Sequence, residues 1–162
     1  MKYIISERQY KVLTEDEDRK ILKLPGSAVF GGWEGMQKFL ELKGNPLFSV
    51  SGNLDLFGIP IESLDNLVSV DGNLNLGATK IKSLANLESV GGYLNLGATK
   101  IKSLANLESV GGNFNLYRTK IKSLKNLQYV GGNLDLVDTP LSKTTTEEEI
   151  RNQVKVKGQI YL

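Results

Sequence analysis

The feature that most constrains this chain is an internal period of 20 residues. DGNLNLGATKIKSLANLESV from Asp71, GGYLNLGATKIKSLANLESV from Gly91 and GGNFNLYRTKIKSLKNLQYV from Gly111 follow one another without a gap. SGNLDLFGIPIESLDNLVSV from Ser51 and the partial unit GGNLDLVDTPLSK from Gly131 keep the frame. Apolar residues therefore stand in columns, such as Leu54, Leu74, Leu94, Phe114 and Leu134, or Val50, Val70, Val90, Val110 and Val130. A unit this short cannot bury its own leucines, but stacked neighbours bury them for one another. The L-x-L step has the period of two of a strand, while the later spacings of three suit tight 3₁₀-like turns rather than a full α-helix. The expectation is a right-handed spiral with one short parallel strand per coil, strands lying about 4.8 Å apart. The paired glycines, Gly91-Gly92, Gly111-Gly112 and Gly131-Gly132, are expected to bend the chain at positive φ just before each strand.

The pattern V-G-G-x-L-x-L-x-x-T-x-I-x-S-L-x-x-L resembles the 20-residue leucine-rich repeats common in bacterial and bacteriophage proteins, over residues 47–141. It departs from their usual Asn after the strand, placing Thr79, Thr99, Thr119 and Thr139 there and Ile59 in the first unit. A threonine hydroxyl still bonds turn backbone. The resemblance implies an α/β repeat solenoid, a leucine-rich-repeat-like stack that binds rather than catalyses. A parallel β-helix of the same period is the competing architecture. Short proteins with this repeat resemble phage open reading frames, which implies action on a bacterial host. The resemblance names no ligand, because repeat scaffolds host unrelated partners.

The ends do not repeat. Residues 1–46 read as an N-terminal cap, with a short strand at Lys2-Tyr3-Ile4-Ile5 and a capping box from Ser6 to Gln9. Trp33, Met36, Phe39 and Leu40 share one helical face, ended by Gly44 and Pro46, that plugs the first coil. In residues 142–162, Thr144-Thr145-Thr146 before Glu147, Glu148 and Glu149 is a helix-start signal. Val156 to Leu162 then repeats the V-x-G-x-L-x-L of the other strands, with a spacing of 26 residues from Leu136 to Leu162. One structural domain with a helix in its last coil is expected. The final strand, through Lys157, Gln159, Ile160, Tyr161 and Leu162, is a candidate homodimer edge.

With neither Cys nor His among 162 residues, thiolate and imidazole metal sites, Ser–His–Asp and Cys–His catalysis and disulfides are excluded. No cofactor motif is present, no pair of carboxylates is placed for catalysis, and the chain reads as a non-enzyme. The start has no apolar signal region and no window approaches the roughly 18 apolar residues of a spanning helix, so a cytoplasmic protein off the membrane is expected. A net charge of +2 makes no global demand for an acidic partner.

Two surfaces remain. Outward positions of the strands carry Asn53, Asp55, Phe57, Asn75, Tyr93, Asn95, Asn113, Asn115, Tyr117 and Asp135, a polar, aromatic face suited to a protein partner. Asn75, Asn95 and Asn115 are expected to form an amide ladder. Lys80, Lys82, Lys100, Lys102, Lys120 and Lys122, with Arg118, form a basic stripe that suits an anionic nucleotide-like ligand or nucleic acid. A structural, homo-oligomeric role is the third alternative.

Overall fold

The computed structural model describes residues 15–16 and 20–162. The expectations for Lys2 to Ile5 and for Ser6 with Gln9 lie outside them. The repeat winds into a solenoid of stacked parallel strands. The strand expected in each coil forms at the L-x-L step: β4 (Leu54–Asp55), β6 (Leu74–Asn75), β8 (Leu94–Asn95), β10 (Phe114–Asn115) and β12 (Leu134–Asp135), closed by β14 (Ile160–Tyr161). Leu74 pairs with Leu94, Leu94 with Phe114 and Phe114 with Leu134, so the register is the sequence period itself.

The Val column adds a further extended stretch to each coil. β3 (Phe48–Val50), β5 (Leu67–Val70), β7 (Ser89–Val90), β9 (Ser109–Val110), β11 (Tyr129–Val130) and β13 (Lys155–Val156) stack as another parallel sheet. On the N-terminal side this sheet gains β2 (Ile21–Leu24), parallel to β3, and β1 (Glu15–Asp16), antiparallel to β2. Between the two sheets lies one continuous core in which the Leu, Ile and Val columns are almost wholly shielded from water.

Each corner of the coil has its own chemistry. Thr79, Thr99, Thr119 and Thr139 are buried, and each donates its hydroxyl to the carbonyl three residues back, Leu76, Leu96, Leu116 and Leu136, at 2.7–2.8 Å. Further on, Leu87, Leu107 and Leu127 close single i to i+3 turns onto Leu84, Leu104 and Leu124. The paired glycines depart from expectation: none of Gly91, Gly92, Gly111, Gly112, Gly131 and Gly132 has positive φ. They are needed because the coils nearly touch there. A β-carbon on Gly111 would collide with the Gly91 carbonyl, and one on Gly131 with that of Gly111. Left-handed residues fall after the strand instead, at Gly58, Ala78, Ala98, Arg118 and Asp138, with φ between 56° and 68°, and in the first three coils again at Asp65, Ala85 and Ala105.

Helix α1 (Trp33–Leu42) closes the N-terminal end as expected. Trp33, Met36 and Leu40 are buried, and Phe39 packs its ring 5.1 Å from Phe30. The Asn45 amide bonds the Leu40 carbonyl at 2.9 Å past Gly44, whose φ of 80° lets the chain leave the helix. At the other end the insertion forms α2 (Glu147–Gln153). Its capping box is complete: the Glu149 amide donates to Thr146 Oγ1, and the Thr146 amide to Glu149 Oε2. Ile150 enters the core, and β14 takes its place beside β12 with Ile160 opposite Leu134.

Candidate functional site

Alternation along β4 to β12 places the leucines inside and the Asn/Tyr positions outside, as expected. Most of the polar residues on this face also build the coil. Asp55, Asn75, Asn95, Asn115 and Asp135 each accept, through Oδ1, the backbone N–H two residues on, at 2.8–3.3 Å, which sets the turn after the strand. The amide ladder forms from Asn95 Nδ2 to Asn75 Oδ1 at 2.9 Å and does not continue to Asn115 among the described residues.

The neighbouring column does more. Asn53 Oδ1 accepts the Asn73 amide, Asn73 Oδ1 the Tyr93 amide, Asn113 Oδ1 the Asn133 amide and Asn133 Oδ1 the Gln159 amide, all at 2.7–2.9 Å. Each asparagine clips its coil to the next. These clips escape sequence reasoning, because an exposed Asn on a strand looks the same whether it faces a ligand or the adjacent coil; the signal is its recurrence at 20-residue spacing directly before the strand. Tyr93 interrupts the series: among the described residues its side chain accepts no bond from the Asn113 amide, and that clip is missing.

Two further departures from the repeat lie in the next coil, where Tyr117 and Arg118 replace the Gly-Ala of residues 77–78 and 97–98. Arg118 sits in the left-handed conformation, its guanidinium 4.9 Å from the Tyr117 ring centroid and 3.2 Å from Asp138. This anchors Arg118 beside the tyrosine and pairs its charge with Asp138. On the first coil Phe57 is 60% exposed, and Ile59, 39% exposed, lines a concavity of about 380 Å³ with Trp33, Pro60 and Ile61 among others.

The six lysines occupy the side of the coil beyond the Thr corner. All are exposed, and the isoleucine between each pair is buried. Lys82 is held by Glu62 at 3.3 Å. At the C-terminal edge, Tyr161 and Leu162 are each 43% exposed, Tyr161 donates its hydroxyl to Gln159 Oε1 at 2.6 Å, and Lys157 lies 5.8 Å from the Tyr129 ring centroid. No group of three or more Asp and Glu able to hold a metal ion exists among the described residues, and no helix there is long and apolar enough to cross a membrane. The chain matches no protein-family model, no curated protein and no solved structure.

Proposed function

We propose that this protein is a leucine-rich-repeat-type binding module that recognises a protein through the face of the β4–β14 sheet, with Tyr93, Tyr117 and Arg118 at its centre. One observation carries the reading. Within a repeat copied almost unchanged from Asp71 to Val110, the departures on the outward face of the β4–β14 sheet in the central coils bring in two tyrosines and an arginine. Tyr93 forgoes an inter-coil clip, at a loss of about 1 kcal/mol, and Arg118 sets a long charged side chain where the repeat has alanine. Tyr and Arg are the residue types that concentrate binding energy at protein interfaces. Exposed Phe57 extends the same sheet face. By the resemblance drawn from the repeat, the partner belongs to a bacterial host and the encounter is cytoplasmic.

The test is a reversion to the repeat, Tyr93→Asn, Tyr117→Gly and Arg118→Ala together. The triple variant is expected to fold about as stably as the parent, since it regains a clip. Native mass spectrometry of gently purified protein should show a protein-sized partner on the parent. Binding of that partner to the variant should fall about 30-fold or more, the equivalent of one lost hot spot. Equal retention by both, or no partner on the parent, overturns the reading.

A further inference from the structure

Between the Thr corner and the Ser-Leu turn, each of three successive coils presents the same Lys-Ile-Lys-Ser: residues 80–83, 100–103 and 120–123. Ile81, Ile101 and Ile121 are fully buried, while both flanking lysines and the serine of every row face water. The rows are neighbours, for the Lys120 amide donates to the Ile101 carbonyl at 3.0 Å and the Leu141 amide to the Ile121 carbonyl at 3.1 Å. The spacing of the stacked coils then places the lysine stems of successive rows about 5 Å apart. The grid has a firm base, since the buried threonine just before each row is hydrogen-bonded to the preceding leucine carbonyl.

Charge on this side is unbalanced. Of the six lysines, Lys82 alone has an ion pair among the described residues, to Glu62 in the coil before the grid. At the far side the corresponding positions are Pro140 and Ser142, with no carboxylate. A spacing of about 5 Å between rows is shorter than the Debye length of about 8 Å at physiological salt, so the ammonium groups repel one another, and a chain of anions laid across them relieves that repulsion.

We propose that this lysine grid is a second binding surface, separate from the tyrosine face, for a linear phosphate polymer. Several features select that chemistry. The charges are spread over three coils, which suits a repeated anion better than a single one. The exposed side chains of the rows are lysine and serine with no aromatic among them, so bases have nothing to stack on and the contact is to phosphate charge alone. Lysine is a strongly hydrated point charge on a flexible stem, which accepts phosphates without fixed geometry, whereas Arg118 is already committed to Asp138 and Tyr117. Duplex DNA and inorganic polyphosphate share this chemistry.

Fluorescence anisotropy with a labelled duplex DNA of arbitrary sequence, and separately with labelled inorganic polyphosphate, tests the proposal and distinguishes the two sources. Binding to either supports it, provided the affinity falls roughly 50- to 150-fold between about 50 and 200 mM salt, as expected for four engaged lysines. Replacing Lys80, Lys100 and Lys120 by Gln should roughly halve the salt slope, and replacing all six should abolish binding, with the thermal midpoint unchanged or raised. Tyr93→Asn should leave polymer binding intact. Absence of binding to both polymers at the lower salt, or binding whose salt slope survives the six substitutions in a folded variant, overturns the proposal.

Discussion

A single backbone position in this solenoid can demand a glycine or merely tolerate its absence, and the two cases differ in cause. Gly111 lies where adjacent coils nearly touch, so its hydrogen cannot be replaced without pushing two backbones apart. Gly111→Ala should destabilise by about 1–3 kcal/mol, the usual penalty for overpacking a rigid site, read as a lower urea midpoint. Ala98, with φ of 59°, presents the reverse situation, since it holds a conformation that glycine adopts freely and that Gly58 already provides in the first coil. Ala98→Gly should stabilise by about 0.5–1 kcal/mol, because relief of left-handed strain outweighs the greater freedom of glycine in the unfolded chain. A loss of stability there would mean the corner is not strained. Both positions read simply as "small" in the sequence; their difference lies in φ and in the distance to the next coil.

Among the elements, α2 shows how far local chemistry alone reaches. Three threonines before three glutamates announce its start, and Thr146 and Glu149 close the capping box as that pattern requires. Glu149 is held below its ordinary carboxylate range, first by the Thr146 backbone N–H and then by the Thr145 and Thr146 hydroxyls. Because the folded pKa is depressed, this contribution to stability is present above the unfolded value of about 4.3 and is lost as pH falls through the lower folded value. Glu149→Gln keeps a capping-box residue but cannot titrate. The parent should therefore lose more of its thermal midpoint than the variant between about pH 6 and pH 3, measured by circular dichroism. Parallel pH profiles would show that the cap does not couple to folding. The strand β2 was less legible: Ile21-Leu22-Lys23-Leu24 belongs to no repeat, and its place beside β3 follows from the need to cover the first coil of the Val sheet.

The molecule as a whole behaves as a one-dimensional stack, so its stability is expected to be close to a sum over coils and their interfaces. Removing residues 91–110 would bring the coil from Asp71 directly against the coil from Gly111 in unchanged register and place Asn73 Oδ1 before the Asn113 amide. This shortened chain should remain folded, with a lower denaturant m-value in proportion to the buried surface removed, and should lose the tyrosine-face partner along with Tyr93. Its failure to fold would show that the cap and α2 must be held at a fixed separation. Leu96→Asp, by contrast, buries an unpaired charge in the continuous core and should abolish cooperative unfolding in the full-length chain.

The 20-residue period by itself determined the stacking, the register, the inward columns and the two polar stripes, because each follows from which residues recur and at what spacing. What only the tertiary structure decided was the work of residues whose partner lies in another coil. The Asn73 amide oxygen meets a backbone N–H one turn of the solenoid away, Gly111 owes its identity to the carbonyl of Gly91, and Arg118 pairs with Asp138 of the next coil. Spacing along a chain fixes the face on which a side chain stands. The atom that it touches depends on the distance between coils, and that is a property of the packed core.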